Sequence, residues 1–179
     1  MQSGRRVISG GSPTVNTRGE TTTEQSVRLT LQPFLKPCPV VEICSNTNPS
    51  RVENPVYIIQ TCGYGRHTFP PKTGCNLSLS AGKYDPLFIK FLNLNISEGD
   101  TLKIYSQVQH SLNASTIPGP IRVQNYYSVY YKSAKAMDRP TWGWRALVYA
   151  EVATEAEMKR CMNSTPTVPC VPQRPSSWA

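Results

Sequence analysis

Few side chains in this 179-residue chain could act as an acid or a base, namely Asp85, Glu98, Asp100, Asp138, His67 and His110. General acid–base or nucleophilic chemistry needs such groups within hydrogen-bond reach of one another, and here they are scattered singly along the chain. There is no Gly-x-Ser-x-Gly, no phosphate loop and no His-Glu-x-x-His, and Gly63-Tyr64-Gly65 is too short for a nucleotide loop and reads as a turn. The expectation is a chain without catalytic residues and without a cofactor. The six cysteines are Cys38, Cys44, Cys62, Cys75, Cys161 and Cys170. They form no Cys-x-x-Cys, and the two histidines lie in separate segments, so the close ligand pairs of a zinc site are missing. An even cysteine count is better explained by disulfides formed in an oxidising compartment. Four Asn-x-Ser/Thr sequons, at Asn76, Asn95, Asn113 and Asn163, agree with that, because sequons are used only on a secreted chain.

The elements that must carry these residues are strands. The chain is organised around Cys75 to Tyr105. In that stretch Leu87, Ile89 and Phe91 place apolar residues at odd positions, and Leu92, Leu94 and Ile96 then move them to even ones. A one-residue phase change of this kind predicts a β-bulge, because strand side chains alternate faces with period two. Ser97-Glu98-Gly99-Asp100 turns the chain and Leu102 and Ile104 resume the alternation, which reads as a hairpin. Upstream, Val27, Leu29 and Leu31 alternate in a strand that Pro33 and Pro37 end, and Val40–Ile43 and Val56–Ile59 are further short runs. His110 to Ile121 reads as a loop. Thr154-Glu155-Ala156-Glu157 is a capping box that predicts one short helix, roughly 155 to 161.

Composition narrows the class. Sixteen prolines and eleven glycines make a turn-rich chain that suits a sandwich better than a helix bundle. The net charge is +8, but the N-terminal arm sets three arginines (Arg5, Arg6, Arg18) against two glutamates (Glu20, Glu24), and the remaining charges are scattered. No basic patch with interleaved aromatics indicates nucleic acid, whereas an acidic partner such as a glycan or a negative surface is compatible. No apolar run reaches the roughly 18 residues of a membrane span. Met1 to Glu24 is polar and lacks the apolar centre of a secretory signal, so the secreted reading takes the sequence to be a truncated or differently delivered form.

The cysteine at 75, the short strand after it, the Ile89-Lys90-Phe91 strand and Gly99-Asp100-Thr101-Leu102-Lys103-Ile104-Tyr105 together resemble the CUB domain, an extracellular jelly-roll β-sandwich. Tyr127–Ser133 resembles that family's penultimate strand and Trp142–Tyr149 its closing strand, so the resemblance spans roughly Cys62 to Val152. It implies an all-β jelly-roll β-sandwich, here with an extra N-terminal strand and one short C-terminal helix. Leu77 stands where the family usually has tryptophan, and no cysteine lies between Cys75 and Cys161, so a second family disulfide is not implied. Of the family's calcium ligands only Asp100 is matched, because Leu92 and Asn93 occupy the glutamate position and Ala134 follows Ser133. Asp100 is therefore no more than a weak calcium candidate, and no metal site is expected. The family pairs its first cysteine with the one at the position of Cys75. Cys62 lies closer to Cys75, and Cys44 further from it, than that pair usually does. Cys62–Cys75 is the preferred assignment, with Cys38–Cys44 local and Cys161–Cys170 closing the tail.

The expected organisation is a flexible arm over 1–26, a CUB-like sandwich over 27–152, and a short helix with a disulfide-closed tail over 153–179. The expected function is an extracellular, non-enzymatic interaction module that binds protein or glycan through an aromatic face carrying Tyr127, Tyr131, Trp142 and Arg145. The alternative is a self-assembling structural subunit, a fibre or capsid protein, joined when Val27, Leu29 and Leu31 add as a strand to a neighbouring copy.

Overall fold

The structure, a computed structural model, describes residues 36–45, 49–66, 74–113, 116–134, 143–165 and 170. The chain divides into two units, Met1–Lys36 and Pro37–Ala179, and the elements below belong to the second. The expected arm over 1–26, the strand at Val27, Leu29 and Leu31, and Trp142 lie outside the described residues.

Among the described residues nine strands build two facing sheets. They are β1 (Val40–Ile43), β2 (Val56–Thr61), β3 (Gly74–Ser80), β4 (Leu87–Asn95), β5 (Thr101–Tyr105), β6 (Gln109–Leu112), β7 (Ile121–Val123), β8 (Tyr126–Lys132) and β9 (Gly143–Ala150). One sheet has the order β1-β2-β9-β4-β7 and the other β3-β8-β5-β6, so successive strands mostly cross from one sheet to the other. This is a jelly-roll β-sandwich, and the only described helix is α1 (Glu155–Met162). Leu77, Leu79, Leu102, Ile104, Tyr127, Val129 and Tyr131 from the smaller sheet meet Tyr57, Ile59, Leu87, Ile89, Phe91, Trp144, Ala146 and Val148 from the larger. Their intervening neighbours face outward, the half-buried alternation of an antiparallel sheet.

The phase change in β4 is a bulge. Phe91 pairs with Ala146 and Asn93 with Arg145, so Leu92 is an extra residue opposite β9. Leu87, Ile89 and Phe91 enter the core before it and Leu94 and Ile96 after it, while Leu92 packs on the outer side against Val56, Ile58 and Leu147. The turn that follows does not make a hairpin, because β4 lies in one sheet and β5 in the other. Its short Gly99 turn arches across the sandwich, and Leu102 and Ile104 then point back at the core from the opposite side. The expected loop from His110 to Ile121 also carries a strand at its start, where β6 pairs with β5.

β2 is buried along its whole length because both of its faces are covered. Tyr57 and Ile59 face the sandwich core, and Val56 and Ile58 lie under α1. The helix starts at Thr154, whose hydroxyl accepts from the Glu157 amide at 3.3 Å while the Glu157 carboxylate accepts from the Thr154 amide at 2.8 Å. Those bonds to Thr154 also hold the Glu157 carboxyl below its ordinary pKa.

All three expected disulfide pairings are corrected. The bonds are Cys38–Cys161, Cys44–Cys75 and Cys62–Cys170. Cys38 and Cys44 bracket the extended β1, so at about 3.3 Å per residue they stand roughly 20 Å apart, well beyond the Cα span of a disulfide. Cys161, on the buried side of α1, is completely buried and meets Cys38, which fastens the helix to the sheet. Cys44, in a left-handed conformation just past β1, bridges to Cys75 on β3 and so joins the two sheets.

Candidate functional site

β8 decides what the tyrosine run can do. Tyr127 and Tyr131 share their side of the strand with Val129 and are buried, so neither is available to a ligand. Tyr131 meets Trp144 edge-on at 6.4 Å between ring centres, and its hydroxyl donates to Asp100 at 2.9 Å. The Tyr127 hydroxyl is 2.8 Å from that of Tyr57 on the other sheet, a hydrogen bond through the core. Burial pushes Tyr57 up to about 12 and Tyr127 well above its ordinary value.

That pair has a consequence for pH. A phenol whose pKa is raised by folding favours the neutral, folded form, so its stabilisation is intact below the unfolded value near 10 and drains away as pH rises towards the folded one. Between pH 10 and 12 each of the two tyrosines should steepen the loss of stability by about 1.4 kcal/mol per pH unit. Urea midpoints measured across that range should show this, and Tyr57→Phe should remove about half of the added slope.

Arg145 projects from the outer face of the larger sheet. Its Nη2 donates to the Ser164 carbonyl and, at 3.5 Å, to the Met162 carbonyl, so it satisfies the last turn of α1 rather than facing a ligand. Burial lowers its pKa, an effect partly opposed by neighbouring Tyr64. Asp100 is equally committed. Its carboxylate accepts from the Ser97 amide at 2.9 Å, the Ala134 amide at 2.6 Å and the Tyr131 hydroxyl, which holds the arch against the end of β8. Among the described residues no three acidic, histidine or cysteine side chains gather to hold a metal. Asp85, Ser106 and His110 line one cleft of about 580 Å³ with Arg122. The Ser106 hydroxyl there accepts from the Gln124 amide at 3.0 Å, and none of the described hydrogen bonds joins any two of Asp85, Ser106 and His110.

The outward side of the smaller sheet is different. Cross-strand pairing sets it out in rows of Ser80 and Tyr126; Ser78, Ser128, Tyr105 and Gln109; Asn76, Tyr130, Lys103 and Ser111; and Gly74, Lys132 and Thr101. Tyr126 is 62% exposed and Tyr105 38%, with Tyr130 half-buried in the row beyond that of Tyr105. No acidic residue stands in these rows, and Lys103 and Lys132 add positive charge. No described helix covers this sheet, whereas α1 covers part of the other. The expectation placed the tyrosine face on the wrong parity. Val129 between Tyr127 and Tyr131, against Ser128 on the other side, was the signal for the correct one. The four sequon asparagines, Asn76, Asn95, Asn113 and Asn163, are all exposed.

No family model and no curated protein sequence matches the chain. Among solved structures it is similar to the MASP-1 CUB2 domain bound to Ca2+, with 16% identity over 60% of this chain and 100% of that domain at a TM-score of 0.50. The CUB1-EGF-CUB2 domains of rat MASP-1 (15% identity, TM-score 0.46, 60% of this chain) and of human MASP-1/3 (15% identity, TM-score 0.45, 58% of this chain) are also similar. This chain spans only 44% and 45% of those two longer structures. Two facing sheets in this strand order, laid over the whole of a CUB domain, make the fold a CUB-like β-sandwich.

Proposed function

We propose that the chain is an extracellular, non-enzymatic interaction module that binds an acidic surface of a protein partner through the outer face of β3, β8, β5 and β6. The observation that carries this reading is the pair of exposed tyrosines, Tyr105 and Tyr126, on a sheet face with two lysines and no acidic side chain. Tyrosine brings large contact area with few rotors to lose, and Lys103 and Lys132 on a chain of net charge +8 favour a negative partner. Three disulfides support an oxidising, extracellular setting. Among the described residues no helix is long and apolar enough to cross a membrane.

The test is capture of the biotinylated chain on an array of extracellular proteins, run beside an array of glycans, with Tyr105→Ser/Tyr126→Ser as the comparison. At least one protein should bind the wild type in a salt-sensitive way and lose about tenfold or more in affinity with the double variant, a loss of about 1.4 kcal/mol or more. The melting temperature should stay nearly unchanged because both side chains are exposed. Protein binding that ignores the double substitution would remove the face from consideration, and binding to glycans alone would overturn the partner class.

A further inference from the structure

We infer that N-glycans on Asn76, Asn95 and Asn113 guard the open sheet edges of this sandwich against pairing with a second copy of the chain. An exposed edge presents unpaired N–H and C=O groups and is a template for strand addition, so folded proteins blunt it. The strand orders leave β1 and β7 at the ends of one sheet and β3 and β6 at the ends of the other.

Two of these edges are blunted by the chain itself. β1 is four residues long, with Pro37 and Pro39 just before it and left-handed Cys44 just after it. β7 is three residues long and follows Pro118 and Pro120.

The other open stretches carry the sequons. On β3, the Ser80 amide donates to the Ser50 carbonyl and the Ser80 carbonyl accepts from the Val52 amide, both at 2.9 Å. The Ser80 backbone therefore faces away from β8, and by the period-two alternation so do those of Ser78 and Asn76. Among the described residues no strand continues the pairing beyond Ser80, and Asn76 stands exposed in the middle of that edge. On the other sheet β7 covers only Leu87–Ile89, so the rest of β4 has a strand on one side only among the described residues, and exposed Asn95 ends it. Asn113 follows directly on β6, the opposite edge of the smaller sheet. β6 is as short as β1 but has no proline beside it, so three of the four sequons fall on open stretches that no adjacent proline protects, and the fourth, Asn163, caps the C-terminal end of α1. A branched, hydrated glycan at each position stops a second backbone from approaching; that at Asn76 rises from the β3 edge of the tyrosine face, two strands from Tyr105 and two rows from Tyr126, and that at Asn113 lies beyond β6.

The experiment uses the full chain secreted from a glycosylating host. Peptide mass spectrometry should find glycans on Asn76, Asn95 and Asn113, and unmodified asparagines there would overturn the inference. Light scattering should then show that the triple Asn→Gln variant associates at about tenfold or more lower protein concentration than the wild type. The triple Asn→Lys variant, which also lacks the glycans but places a charge on each edge, should remain a monomer, as should Asn163→Gln. The inference falls if the Gln variant stays monomeric up to the wild-type limit, if the Lys variant associates equally, or if Asn163→Gln behaves like the triple Gln variant.

Discussion

Gly143→Ala should cost about 2–5 kcal/mol, although it adds a single methyl group. Gly143 opens β9 at φ +80°, where a Cβ is disfavoured in any surroundings. A methyl there would lie 2.0 Å from the Thr61 hydroxyl and 2.8 Å from the Thr61 Cβ. Thr61 cannot move aside: it is fully buried, and its Oγ1 accepts from the Trp144 amide at 3.2 Å. The contact belongs to the backbone approach that seats Trp144, itself completely buried against Phe91 and Tyr131. Urea unfolding of Gly143→Ala should show the loss. Adding Thr61→Gly should recover part of it by removing the clash, less the hydroxyl's bond to Trp144 and the price of a more flexible backbone. A Gly143→Ala variant as stable as the wild type would mean that this approach of β9 to β2 is wrong.

Removing the Cys38–Cys161 bond by a double change to alanine should cost about 2–5 kcal/mol. The bond closes a loop of 123 residues, against 31 for Cys44–Cys75. Loop entropy alone then makes it worth about 1 kcal/mol more than the shorter bridge. Its loss also frees α1 to lift from Val56, Ile58 and Leu147, which are apolar and nearly or fully buried. Amides of residues 155–162 should therefore exchange faster by a larger factor than those of β5 and β8. Equal acceleration throughout would show instead that the bond acts only on the unfolded chain.

The sequence reads well wherever the information is local. The apolar phase change between Phe91 and Leu92 located a bulge, and Thr154 with Glu157 located the start of a helix to the residue. It reads poorly wherever a partner distant in sequence decides the outcome. The arch at Ser97–Asp100 and a hairpin turn share the same alternation on either side, and only the sheet that receives Leu102 and Ile104 tells them apart. Neighbouring cysteines looked like partners because chain distance was the available guide, yet the extended β1 separates Cys38 from Cys44 and brings each to a cysteine elsewhere in the fold. The tyrosines fail differently. Their alternation was visible, and the apolar residue at 129 was enough to assign Tyr127 and Tyr131 to the interior, but the number of rings drew attention away from parity. Arg145 was legible as a charge beside aromatics, while its bond to the end of α1 depends on a helix that starts ten residues later.

The Cys38–Cys161 bridge also determines how the molecule would bear a pull. Tension entering through the chain before Cys38 and leaving through the chain after Cys161 has a covalent short cut across the two sulfurs. Cys62–Cys170 adds a parallel path through β1 and β2, and the seven strands from β3 to β9 lie in the segment that both bridges bypass. At about 3.3–3.6 Å per residue, roughly 400 Å of chain is withheld from extension. While the bridge is intact the sandwich behaves as a rigid bead on a short tether. Reduction of both bridges would convert it into a spring with a long reserve, so a thiol would alter how far the chain extends under load.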